Sequence, residues 1–193
     1  MVEYAKAAQP LIQKPLLVIC CPRSGSTSCT KLINDHMGLS VGHEEMGVDG
    51  IVYCHWAVPR LASAPSLELE TIQRQDYEFV RVVHLVRSPL STIDSLRREM
   101  SAHYWTWQEL HTGIVMDIED GDRPTHEQVA AYWCRWYDIC EIQSSETWAI
   151  ETLSADHKVK MNAGIREPLP LWYEDLGSMQ EQVEVRAREN GYL

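Results

Sequence analysis

Five consecutive apolar residues, Leu16–Cys20, set the architecture. A strand with one wet face alternates apolar and polar residues. A run that is apolar throughout suits a central strand of a sheet covered on both faces. The run gives way to PRSGSTS, Pro22–Ser28, before helical spacing begins. This predicts a strand over Leu16–Cys20, a tight loop, and a helix from Ser26 to Met37 with Gly38 as its C-cap. The pattern returns at EFVRVVHLV, Glu78–Val86, whose β-branched residues favour a second strand. That run leads into Arg87-Ser88-Pro89, where Ser88 is a good N-cap and Pro89 a good first helical residue. Leu90, Ile93, Leu96 and Met100 then recur at helical spacing, so a helix is expected over Pro89–Ala102.

Farther along, Thr125 and Gln128 have the spacing of a capping box at the start of another helix. Trp133, Trp136, Tyr137 and Cys140 follow on it as core residues. A short strand at Thr147–Glu151 and a last helix over Glu174–Asn190 complete the alternation. Pro59–Pro65 and Asp117–Pro124 read as loops. Strands alternating with helices argue for an α/β fold, here a P-loop-like three-layer fold with a central, mostly parallel sheet flanked by helices. The chain of 193 residues is long enough for one sizeable core, and a single domain, 1–193, is expected.

Composition narrows the function classes. No apolar run approaches the roughly 18 residues of a membrane span, and the start MVEYAKAAQP lacks the basic-then-apolar order of a signal peptide. A cytoplasmic chain with no membrane span is expected. None of the six cysteines forms a C-x-x-C pair, so buried free thiols are expected rather than a zinc or redox site. The formal net charge of −11 disfavours a nucleic-acid surface, which needs clustered cations. It leaves room for one local anion site, and arginines beside Gly, Ser and Thr mark where that site would lie.

The strand–loop–helix at Pro22–Ser28 has the geometry for such a site. A helix N-terminus carries unpaired N–H donors and a partial positive charge. Gly25 lets the backbone turn closely around an anion. Ser24, Ser26, Thr27 and Ser28 add hydroxyls, and Arg23 adds a permanent charge with a fork suited to phosphate or sulfate. A nucleotide-triphosphate P-loop would need G-x-x-x-x-G-K-[ST], and the lysine is missing. It would also need an acid at the end of a neighbouring strand to hold Mg²⁺, where the second strand offers Arg87. A cysteine phosphatase would need an arginine six residues after its cysteine, but Ser26 and Thr27 stand there. What remains is a metal-free anion donor site or a plain Ser/Gly turn.

At this point the residues resemble a known family. PRSGSTS resembles the 5′-phosphosulfate-binding loop of sulfotransferases that use 3′-phosphoadenosine 5′-phosphosulfate (PAPS). RSPLSTIDS, Arg87–Ser95, resembles their 3′-phosphate motif, an Arg at a strand end and a Ser eight residues later. GHEEMGVDG, Gly42–Gly50, resembles the segment that carries the acceptor-side base in some bacterial members. YWCRWYDI resembles a tryptophan-bearing helix of compact members, and NAGIREPLPLWYEDL with a later GY resembles their C-terminal region.

The resemblance implies metal-free, in-line sulfuryl transfer from PAPS to the hydroxyl of a glycan or other small acceptor. Arg23 would stabilise the leaving phosphate oxygen in a place where the family often has lysine. Residues Ser24, Gly25, Ser26, Thr27 and Ser28 would hold the 5′-phosphate, and Arg87 and Ser95 the 3′-phosphate. Arg166 is a further candidate phosphate contact. The general base is sought among His43, Glu44 and Glu45; the resemblance points to Glu44, with His43 second. Asp49 and His55 are candidates to line the acceptor site, and His84 is expected to be a satisfied core histidine. Two alternatives stay open: a P-loop kinase of unusual sequence, and a phosphonucleotide-binding module without catalysis.

Overall fold

A computed structural model describes residues 10–57, 77–99, 123–156 and 171–193. Five parallel strands form its sheet: β1 (Ile12–Cys20), β2 (Val41–His43), β3 (Gly50–Val52), β4 (Tyr77–Val86) and β5 (Glu146–Ala149). Their spatial order is β2-β3-β1-β4-β5, which puts the apolar run of β1 at the centre. The helices are α1 (Ser26–His36), α2 (Pro89–Glu99), α3 (His126–Gln143), α4 (Ile150–Asp156) and α5 (Gln180–Glu189).

Side chains alternate across the sheet because the strand period is two. Leu16, Val18 and Cys20 of β1 pack with Cys29, Leu32 and Ile33 of α1 and with Ile150 of α4. Leu17, Ile19 and Cys21 pack on the other face with Ile93 and Leu96 of α2, six residues of α3 from Val129 to Trp136, and Val183 of α5. The result is three layers, with α1 and α4 below the sheet and α2, α3 and α5 above it. All six cysteines are buried free thiols. Burial pushes the Cys29 thiol up to about 12 and Cys134 up to about 11.

Several expectations are corrected in detail. Strand β1 begins four residues early, because Ile12, Gln13 and Lys14 extend its ladder to Tyr77, Glu78 and Phe79. The strand expected to run through Glu151 ends at Ala149, and Glu151 lies in the first turn of α4. The last helix is preceded by a 3-10 segment, Tyr173–Met179, which kinks at Gly177 (φ 57°). Strands β2 and β3 were not foreseen. Their short connection works only because side chains are absent: a Cβ on Gly50 (φ 150°) would lie 1.7 Å from the Leu16 carbonyl oxygen. Lys14 clamps the same connection, donating to the carbonyls of Gly47 at 3.1 Å and Val48 at 2.8 Å.

The Thr125–Gln128 capping box is formed, with reciprocal bonds of 3.2 and 2.8 Å. Helix α2 begins at Pro89 as read, and Gly38 beyond α1 is left-handed (φ 68°). Pro59–Pro65, residues 100–102, residues 117–122 and Arg166 lie outside the described residues, as does the His55 side chain.

Candidate functional site

Adjacent strands β1 and β4 send their following helices to opposite faces of the sheet, α1 below and α2 above. Their carboxyl ends therefore form a topological switch point, where open parallel sheets usually place a ligand crevice. The two segments singled out in the sequence lie there, Pro22–Ser28 after β1 and Arg87–Ser95 after β4.

The first loop is a tight turn. Ser24 N–H donates to the Cys21 carbonyl at 3.2 Å, Pro22 takes the second position, and Arg23 takes the third with φ 70°. This is the pattern of a type II turn, whose third residue is ordinarily glycine or asparagine. Arginine there costs on the order of 1 kcal/mol of backbone strain. Gly25 (φ 91°) then forms the N-cap of α1 without any side-chain capping bond. A Cβ on Gly25 would also press on Ile150 Cγ1 at 3.3 Å, so helix α4 backs the loop closely.

The strained arginine is held from two sides. Its Nε donates to Ser95 Oγ of α2 at 3.0 Å, and its carbonyl accepts from Arg87 Nη1 at 3.2 Å. The residues expected to hold two different phosphates thus meet in one bonded group. Burial lowers the pKa of Arg87, the charge of Glu151 raises it, and the charge of Arg23 lowers it again. Two guanidiniums with one carboxylate beside them form a local positive site in an acidic chain. Such a pair is eased by an anion of charge −1 or −2, so the residues present fit a phosphate.

On the other side of the loop, His43 ends β2 and turns to the start of α1. Its Nε2 lies 3.0 Å from Ser26 Oγ and 3.3 Å from Thr27 Oγ1. Ser24 is 2% exposed, so it offers the loop backbone rather than a solvent-facing hydroxyl. Ser28 is half-buried on α1. Glu44 is exposed and left-handed (φ 60°), with its N–H on the Val52 carbonyl at 3.1 Å. Glu45 is exposed as well. The Asp49 carboxylate accepts the Ser40 N–H at 2.6 Å, which ties down the start of β2.

The structure therefore brings together Arg23, Ser26, Thr27, His43, Arg87 and Ser95, and it leaves the Glu44 side chain outside that bonded group. His84 is buried in the core, but its Nδ1 has no hydrogen-bond partner among the described residues, so it is not the satisfied histidine expected. Glu151 was missed as a site residue. Its carboxylate accepts the Ser88 N–H at 3.0 Å and the Tyr192 O–H at 2.6 Å. Among the described residues, no group of three or more His, Cys, Asp or Glu side chains is placed to hold a metal ion, and no helix is long and apolar enough to cross a membrane. Comparison with protein-family models, with curated proteins and with solved structures gave no match.

Proposed function

We propose that this chain is a PAPS-dependent sulfotransferase, acting on a hydroxyl of a glycan or other small molecule through a P-loop-like anion site. The observation that carries the reading is the bonded group Arg87–Arg23–Ser95 across the carboxyl ends of β1 and β4. It sits beside a helix N-terminus that no side chain caps. A bound donor supplies an activated sulfuryl group, which passes to the acceptor oxygen as the sulfur–oxygen bond to the bridging phosphate breaks and adenosine 3′,5′-bisphosphate leaves.

The residues divide this work. Backbone N–H groups from Gly25 to Ser28 meet the 5′-phosphate, and Arg23 offsets the charge that grows on the leaving oxygen. The bond to Ser95 orients the Arg23 guanidinium, so little reorganisation is needed during transfer. Arg87, with Ser95, holds the 3′-phosphate. His43 takes the acceptor proton, because its Nε2 already lies at the loop where transfer would occur. Glu44 is the second candidate, one residue farther along and open to solvent. Both oxygens of Glu151 are engaged, so the carboxylate beside Arg87 lends no support to a Mg²⁺-dependent kinase.

Adenosine 3′,5′-bisphosphate should raise the melting temperature, since a ligand at 100 times its Kd stabilises by about 2.7 kcal/mol. Transfer of labelled sulfate from PAPS to an acceptor should survive EDTA. No thermal shift at millimolar bisphosphate would sink the reading, and binding without transfer to any acceptor would favour the non-catalytic alternative.

A further inference from the structure

Glu151 has no part in the chemistry above, yet it connects three separate segments. It stands in the first turn of α4, and its two oxygens bind the Ser88 N–H and the Tyr192 O–H. Ser88 follows Arg87, so the carboxylate grips the backbone one residue from the guanidinium. Its negative charge also favours the protonated Arg87, against the burial and the Arg23 charge that oppose it.

Tyr192 reaches Glu151 by a defined route. Beyond α5, Gly191 is left-handed (φ 73°), its N–H donates to the Arg188 carbonyl at 3.1 Å, and the Tyr192 N–H donates to the Ala187 carbonyl at 2.8 Å. This is a Schellman turn, which ends the helix and fixes the direction of the residue after it. The Tyr192 ring packs against the upper core, and Asn190 donates to the Tyr137 hydroxyl at 2.7 Å. Burial, followed by the bond to Glu151 and its charge, pushes the Tyr192 hydroxyl pKa well up. The group is therefore a fixed proton donor at any working pH.

We propose that Glu151 and Tyr192 are positioning residues that set Arg87 for the 3′-phosphate, and so govern discrimination between nucleotides with and without that phosphate. This rests on the PAPS reading. The pair acts through the Ser88 backbone and through charge, with no contact to the nucleotide itself. A guanidinium displaced by about 1 Å loses much of its value in a binding site.

Calorimetric titration of the full chain with adenosine 3′,5′-bisphosphate and with AMP tests the proposal. Tyr192→Phe keeps the ring and removes only the hydroxyl. It should weaken bisphosphate binding roughly five- to tenfold, less than the roughly 10- to 100-fold of a lost hydrogen bond to a charged group because Arg87 is shifted rather than removed, while AMP binding changes less than about twofold. In an Arg87→Ala background, Tyr192→Phe should leave the ratio of the two affinities unchanged. Equal weakening of both nucleotides, or an effect that persists without Arg87, overturns the proposal. If the unaltered chain does not prefer the bisphosphate over AMP, the PAPS reading fails. The pair is then judged alone from the Arg87 Nε–H resonance in nitrogen-15 spectra. A shift on Tyr192→Phe upholds the positioning role, and an unmoved resonance overturns it.

Discussion

His84 should make the protein acid-sensitive in a way that a single substitution removes. It sits in β4, 2% exposed, with its ring centroid 4.8 Å from that of Tyr137 in a T-shaped contact and its Nδ1 unpartnered among the described residues. Burial pushes its pKa from 6.5 down to about 4. As pH falls, the unfolded chain takes up this proton first, so protonation favours unfolding. The penalty is absent above pH 6.5, grows between 6.5 and 4, and is complete below 4. A shift of this size amounts to about 3 kcal/mol in full, and about 2 kcal/mol of it has developed by about pH 5. Urea unfolding at about pH 7.5 and pH 5, for the parent and for His84→Leu, isolates the contribution, since other titrating groups act in both. The parent should lose about 2 kcal/mol more than the variant on acidification, close to 1 M in urea midpoint for a slope of about 2 kcal/mol/M. Parallel pH dependence in the two proteins would refute the argument that His84 is held neutral by burial.

Arg87→Ala should weaken adenosine 3′,5′-bisphosphate binding roughly 10- to 100-fold while leaving AMP binding nearly unchanged, measured by calorimetry; similar losses for both ligands would remove Arg87 from the 3′-phosphate. His43→Ala should lower transfer at least roughly 100-fold with bisphosphate affinity retained, whereas Glu44→Gln should cost little. The reverse order in a sulfate-transfer assay would make Glu44 the base. Gly50→Ala should destabilise by about 4 kcal/mol or more, because the new methyl collides with the Leu16 carbonyl in the next strand. An unchanged melting temperature for that variant would contradict the described β1–β3 register.

The sequence exposed those parts of the fold whose determinants are local. The Thr125–Gln128 cap needs only residues three apart, and the run Leu16–Cys20 declares its own burial. Both loops were legible as strand-to-helix turns because glycine, hydroxyls, arginine and proline concentrate there in a few adjacent positions. Strands β2 and β3 were hidden for the opposite reason. Three residues carry no periodicity, and what places Gly42–Gly50 is close backbone approach, which leaves no side-chain pattern. The direct Arg23–Ser95 bond, across 72 positions, depends on β1 and β4 being neighbours. Glu151 gave no signal at all, since its partners Ser88 and Tyr192 lie 63 and 41 positions away.

The left-handed turn at Arg23 has a consequence for directed evolution. Glycine at position 23 would relieve the positive φ of 70° and favour the folded chain by a fraction of a kcal/mol to about 1 kcal/mol. A library sorted only for heat resistance would therefore enrich glycine there and discard the guanidinium. Under the proposed function, sorting for nucleotide capture would drive the same codon back to arginine. Position 23 is thus a marker of what a selection rewards, and its drift in a thermostabilised lineage would give early warning that the proposed anion site has been lost.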